Sequence, residues 1–137
     1  MNVVLNSFET ATVADAMTTG LIACQADASL REVARLMASH GVHAVFVFSE
    51  GGEVESWGLV SDLDLAAAAW AGIDSRTAGQ STVTPLITVD ADDPLERAAQ
   101  LMAERGTAHL AVLDPRTHQP VSVVSTIDIA RAIAVGC

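Results

Sequence analysis

Two four-residue stretches carry the side chains best suited to holding a ligand: Ser61-Asp62-Leu63-Asp64 and Ser125-Thr126-Ile127-Asp128. Each sets a hydroxyl three residues ahead of a carboxylate, directly after an apolar run. This is the spacing of a capping box, in which the serine oxygen accepts the amide three residues on and the carboxylate reaches back. Read from the residues alone, helix capping is the simpler account. The two roles are compatible, however. A helix amino end offers unpaired amides and the positive end of the helix dipole, where a phosphate or a ligand hydroxyl can be held. The serine adds a donor there, and the carboxylate can accept neighbouring hydroxyls of a sugar.

The remaining reactive residues point to little chemistry. His40, His43, His109 and His118 show no metal-ligand spacing, so no metal site is expected. Each of His43 and His109 reads either as a ligand contact or as a surface or strand-edge residue. There is no HExxH, no glycine-rich phosphate loop and no Ser-His-Asp order with supporting loops, so an enzyme is the least favoured function. Cys24 lies in an apolar stretch and Cys137 is the last residue, without metal or redox spacing; a small hydrophobe and a terminal thiol are expected. The formal net charge is −10, from 17 acidic residues against seven arginines and no lysine. Such a chain has no basic stripe, which disfavours nucleic acid and anionic membranes as partners. Any bound phosphate must be held locally. No apolar run approaches the roughly 18 residues of a membrane span. The first residues lack the basic charge of a secretory signal, so a cytoplasmic location is expected.

Those stretches are positioned by a duplication. Shifted by 65 residues, Leu21-Ile22 falls on Leu86-Ile87, Ala26-Asp27 on Ala91-Asp92, and Leu30 on Leu95. Ala34, Leu36, Met37, Ala38 and Gly41 fall on Ala99, Leu101, Met102, Ala103 and Gly106. One residue then drops out, and at a shift of 64 GLVSDLDLA (58–66) lies over SVVSTIDIA (122–130). Self-similarity on this scale marks a repeat.

Each half predicts the same elements. A short strand comes first, Leu21–Cys24 and Leu86–Val89. A helix follows, with Ser29 and Glu32 as a capping box in the first copy. In the second copy Asp93 is the expected N-cap, with Pro94 at N1 and Glu96 at N3. Leu30, Val33, Ala34 and Met37, and likewise Leu95, Ala98, Ala99 and Met102, recur at i, i+3, i+4 and i+7 and form one buried face per helix. Gly41 and Gly106 end the helices as left-handed caps. Two hairpins follow: Val45–Phe48 with Trp57–Val60, and Leu110–Leu113 with Val121–Val124. Their connections, SEGGEVES and DPRTHQP, carry turn residues. The strands are near-continuous apolar runs, expected to be covered on both faces. A closing helix starts after Val60 and after Val124. The order β-α-β-β-α, twice, is an α/β fold. Residues 1–12 read as an N-terminal arm, 13–71 and 77–137 as the two repeats, and 72–76 as the linker, within Gly72–Ser81 as the only clear linker stretch.

This pattern resembles the CBS domain, named for cystathionine β-synthase, over about residues 13–71 and 77–135. VADAMTTGLIACQADASLREVARLMASHGVHAVFV is similar to that family's opening segment, and GLVSDLDL and SVVSTIDI to its closing G-h-h-[ST]-x-x-D signature, where h is apolar. Family members often have proline where Phe46 and Ala111 stand and glycine where Ser122 stands. The resemblance implies two repeats packed about a pseudo-twofold axis, with two clefts that commonly take AMP, ADP, ATP or S-adenosylmethionine. It also implies association into a flat homodimer.

By the same resemblance Asp64 and Asp128 contact a ribose, with Ser61 and Ser125 beside them. Their charge would repel a 2′-phosphate. Adenine is then read by main-chain groups of Gly20, Leu21 and Ile22 and of Pro85, Leu86 and Ile87, with Val42 and Thr107 as apolar walls. The residues after Ser61 and Ser125 are Asp62 and Thr126, neither basic. His43-Ala44 and Ala108-His109 stand where a His-Arg pair is often found. Arg131, one turn beyond Asp128, could reach a phosphate or simply favour the helix dipole, and Ala67 stands in its place in the first copy. The resulting expectation is a regulatory sensor that needs no cofactor and signals to a protein partner in trans. AMP is favoured at the Ser125/Asp128/His109/Arg131 site, with weaker or phosphate-free binding at Ser61/Asp64. The rival reading is a ligand-independent dimerising scaffold.

Overall fold

The computed structural model describes residues 7–17, 20–49, 56–82 and 86–135. The first elements are α1 (Val13–Ala16), β1 (Ala23–Gln25), α2 (Leu30–His40), β2 (Ala44–Ser49), β3 (Ser56–Ser61) and α3 (Asp62–Gly72). A 3-10 turn, Gly79–Ser81, leads to β4 (Thr88–Asp90), α4 (Leu95–Arg105), β5 (His109–Leu113), β6 (Pro120–Ser125) and α5 (Thr126–Val135). The β-α-β-β-α order thus occurs twice. The chain forms two compact units, one of residues 22–86 and one of residues 1–21 with 87–137.

In the 22–86 unit the sheet order is β1-β2-β3, with β1 parallel and β3 antiparallel to β2. Leu30, Val33 and Met37 of α2 pack with Val45, Val47, Val60 and Ala68, so the i, i+3, i+7 face is buried as the periodicity requires. Gly41 ends α2 at φ 63°, ψ 35°, its amide donating to the Met37 carbonyl. The other unit repeats the plan with the order β4-β5-β6. Its core gathers Leu95, Ala98, Leu101 and Met102 of α4 with Leu110, Val112 and Val124. Gly106 closes α4 at φ 63°, ψ 38°.

Several expectations are corrected. The opening strands begin two residues later than expected and end one later, because the parallel ladders begin at Ala23 opposite Phe46 and at Thr88 opposite Ala111. Pro94, not Asp93, is the cap position of α4, and it has no side-chain cap. Asp93 instead accepts the Asp90 amide at 2.9 Å and closes the preceding turn. Only the serine half of the Ser29/Glu32 box forms, the Glu32 amide donating to Ser29 Oγ at 3.1 Å. β6 alternates between buried and half-buried residues, so it is not covered on both faces along its length. The first hairpin connection lies largely outside the described residues. In the second, Asp114 accepts the amides of Arg116 and Thr117 at 2.8 and 3.2 Å, and His118 adopts φ 59°.

The stretch read as a linker is built into the 22–86 unit. Ala78 is fully buried, its amide donates to the Ala28 carbonyl and that of Gly79 to the Ala26 carbonyl, both at 2.9 Å. A Cβ on Gly79 would lie 2.9 Å from Ala26 Cβ, which is why glycine stands there. Residues 11–14 do the same for the other unit: Val13, fully buried, donates to the Asp93 carbonyl at 2.9 Å and Ala14 to Ala91 at 2.8 Å. Thr12 bridges Pro94 just as Thr77 bridges Ser29. At the 65-residue shift these contacts are equivalent. Each unit is therefore completed by the segment that precedes the other repeat. Apolar runs are local signals, whereas this exchange is a long-range pairing that no local pattern encodes.

Candidate functional site

The two Ser-x-x-Asp stretches sit at equivalent places, where the last strand of each sheet turns into its closing helix. In the first copy Ser61 ends β3 opposite Ala44, and the Asp62 amide donates to the His43 carbonyl at 2.8 Å. This bond ties the start of α3 to the start of β2. In the second copy Ser125 ends β6 opposite His109, and the Thr126 amide donates to the Ala108 carbonyl at 3.0 Å. An apolar strand that stops at a serine thus delivers a helix amino end beside the mouth of its sheet.

The side chains then differ. At Ser61 the capping box is complete: the Asp64 amide donates to Ser61 Oγ at 3.2 Å, and the Ser61 amide donates to Asp64 Oδ2 at 2.9 Å. Asp64 is half-buried. At Ser125 both the amide and the hydroxyl donate to Asp128 Oδ2, at 2.8 and 3.2 Å. Asp128 is buried, and its other oxygen faces the Arg131 guanidinium at 3.7 Å. The Arg131 side chain itself remains 71% exposed. A buried carboxylate with two hydrogen bonds and a nearby cation is held in a fixed orientation. Neither aspartate is turned into bulk water.

The histidines also part. His43 is exposed and its Nδ1 lies 3.0 Å from Asp62 Oδ2, so the first mouth carries a His-Asp pair. This pairing was missed from the sequence. Its signal is the β2–β3 register, which sets residue 62 one step past the 44–61 pair and beside residue 43. His109 is buried on β5, with its carbonyl accepting from Thr107 Oγ1 at 3.1 Å. Val42 and Thr107 are half-buried at the helix-to-strand connections, directly after the capping glycines.

Of the adenine-reading residues expected, Gly20 and Leu21 are exposed, Ile22 and Ile87 half-buried and Leu86 exposed; Pro85 lies outside the described residues. The carbonyls of Ile22 and Ile87 accept the Phe46 and Ala111 amides, each at 2.9 Å. This use of the carbonyls gives the amides of these residues the larger part in any reading of a base. Gly20 has φ 97°, a conformation glycine adopts without strain. Ser122 is buried on β6.

Among the described residues, Asp90, Asp92 and Asp93 bring carboxylate oxygens within 4.8 Å of one another. Asp93 already gives one carboxylate oxygen to the turn. No helix of the described residues is long and apolar enough to cross a membrane.

The CBS domain model matches residues 13–71 and 81–135. The chain belongs to the CBS domain family. It is 31% identical over 120 residues to the CBS domain-containing protein YhcV of Bacillus subtilis, covering 86% of this chain and 82% of that protein. It is 32% identical over 119 residues to a homoserine O-acetyltransferase of Methanocorpusculum labreanum, but spans only 24% of that protein's length. Among solved structures, the CBS domain pair of protein MJ0100, in complex with 5′-methylthioadenosine and S-adenosyl-L-methionine, superposes with a TM-score of 0.79 at 22% identity, covering 93% of this chain and 98% of that one. The CBS domain protein PAE2072 from Pyrobaculum aerophilum, complexed with AMP, gives a TM-score of 0.76 at 23% identity, covering 92% and 97%. These likenesses establish the fold of the two CBS repeats, and the residues of each mouth remain to be read on their own chemistry.

Proposed function

We propose that this CBS pair is a regulatory module, working in the cytoplasm, that binds an adenosine-containing ligand at the amino ends of α3 and α5 and passes the signal to a protein partner. The observation that carries this reading is the Asp128 carboxylate, buried and oriented by Ser125 with Arg131 beside it. Such a group can accept ribose hydroxyls at Oδ1, while Arg131 supplies a charge-assisted contact to a single phosphate. The α3 mouth has Asp62 where a phosphate would be welcomed by a donor, so it suits a ligand without phosphate or binds AMP more weakly. MJ0100 and PAE2072, solved with adenosyl ligands, support the ligand class.

Calorimetry with AMP tests the assignment. Asp128→Ala is expected to weaken AMP at least tenfold, while Asp64→Ala leaves it within about threefold. AMP binding lost in Asp64→Ala and retained in Asp128→Ala overturns the assignment.

Self-association has its own support. On α3, Leu63 is 75% and Trp70 93% exposed, with exposed alanines 66 and 67 between them; on α5, Ile127 and Ile133 are about half exposed. Large apolar side chains left exposed along a helix mark a face suited to contact with another surface. We read these faces as the contact between two copies of the chain. Sedimentation of Trp70→Asp checks it: a dimer that becomes a monomer is the expected outcome, and an unchanged mass is the contrary one.

A further inference from the structure

Within the 22–86 unit a concave region lies at the edge of the first sheet. β1 is the edge strand there, and with the end of β2 and the first two turns of α2 it borders an open hollow of about 540 Å³. This is within the size range of small-molecule sites. Cys24, Ala28, Leu36 and Phe48 supply apolar lining, and the acidic lining groups are Asp27 and Glu32. Burial first, and then the Glu32 charge, push the Cys24 thiol up from its ordinary value. The Glu32 carboxylate is therefore felt at Cys24, and the raised thiol is the less nucleophilic for it.

We propose that this hollow is a binding site for a small organic cation, an ammonium or guanidinium on an apolar stem. Two effects of opposite sign compete. The amino end of α2 contributes roughly half a positive charge, which favours anions. The Asp27 and Glu32 carboxylates contribute two full negative charges, and the Glu32 amide is already taken by Ser29 Oγ. The carboxylates win. Of the nearby cations, Arg31 is committed to Asp74 through two contacts at 2.9 and 3.1 Å, and no arginine lines the hollow. An apolar stem replaces water over Leu36 and Phe48, while the charged head meets the carboxylates. The second repeat has lost these features: Val89 stands for Cys24, Asp93 for Ala28 and Arg97 for Glu32. The site is therefore expected in one repeat only.

The test uses the whole chain and phenethylammonium chloride as probe, followed by amide NMR. Binding with a dissociation constant on the order of 1 mM is expected, with shifts centred on Gln25, Ala28 and Glu32. The neutral phenethyl alcohol is expected to bind at least fivefold more weakly. Glu32→Gln keeps the Ser29 contact to the amide at that position and should weaken the cation about three- to tenfold. Glu32→Arg, the residue found at this place in the second repeat, should abolish binding with a dispersed spectrum intact. No shift at 10 mM, equal binding of the alcohol, or unaltered affinity in both variants overturns the proposal. AMP binding is measured in parallel, and because the hollow shares no residue with the Asp64 and Asp128 mouths, either reading can fail without the other.

Discussion

The two helix mouths are copies of one design with different settings. At α3 the aspartate is half-buried inside a complete capping box, and the residue after the serine is an aspartate paired with His43. At α5 the aspartate is buried, the serine hydroxyl donates to it, and Arg131 stands over its second oxygen. Backbone geometry is shared down to the amide that ties each helix to its sheet. The difference lies in the side chains: Asp62 against Thr126, Ala67 against Arg131, an exposed His43 against a buried His109, and the burial of the aspartate. A duplicated fold thus keeps its frame and varies its charge, and under the proposed function the latter would set specificity.

The comparison can be broken at several strengths. If the frames are equivalent, Leu30→Ala and Leu95→Ala, both fully buried at matching positions, each cost about 2–5 kcal/mol. Denaturant midpoints that differ widely between the two would show that one core dominates. Next come the exchanged closing segments. Gly79→Ala meets Ala26 at 2.9 Å and is expected to cost about 1–3 kcal/mol, whereas Ala14→Gly at the equivalent exposed position costs about 1 kcal/mol or less. Smaller still is the charge swap. Thr126→Asp should weaken AMP about fivefold, and Asp62→Thr should bring the α3 mouth closer to the α5 mouth, both read by calorimetry.

The smallest effects are acid-side ones, one in each unit. Hydrogen bonds from Arg31 hold Asp74 below the ordinary carboxylate range, and the amides of Arg116 and Thr117 do the same for Asp114. A depressed folded-state pKa gives stability that is complete above the unfolded value, near 4, and lost as pH falls through the folded value. Asp74 is exposed, so Asp74→Asn should alter the acid unfolding midpoint only slightly and leave stability at pH 7 nearly unchanged. NMR titration of each carboxylate gives the direct check.

How much of this was written in the chain follows from the range of each signal. The faces of α2 and α4, the glycine caps and the Ser61 box are local, set within a turn or two, and the sequence pattern reads them directly. The Asp93 cap fails because a competing local bond, to the Asp90 amide, uses the same carboxylate. The His43–Asp62 pair needs strand register, and the burial of Asp128 needs the packed core around α5. Neither lies in a window of the sequence. The hollow at β1 is equally invisible, since it is defined by what the neighbouring elements leave open.

The crossing of the closing segments has a consequence for how such a chain can be handled. A protease nick or recombination point near residue 75 leaves residues 11–14 on one fragment and the sheet they seal on the other, and strands the 77–81 turn in the opposite sense. Neither fragment inherits its own lid. The two copies, though traceable to one ancestral block, have become heritable only together.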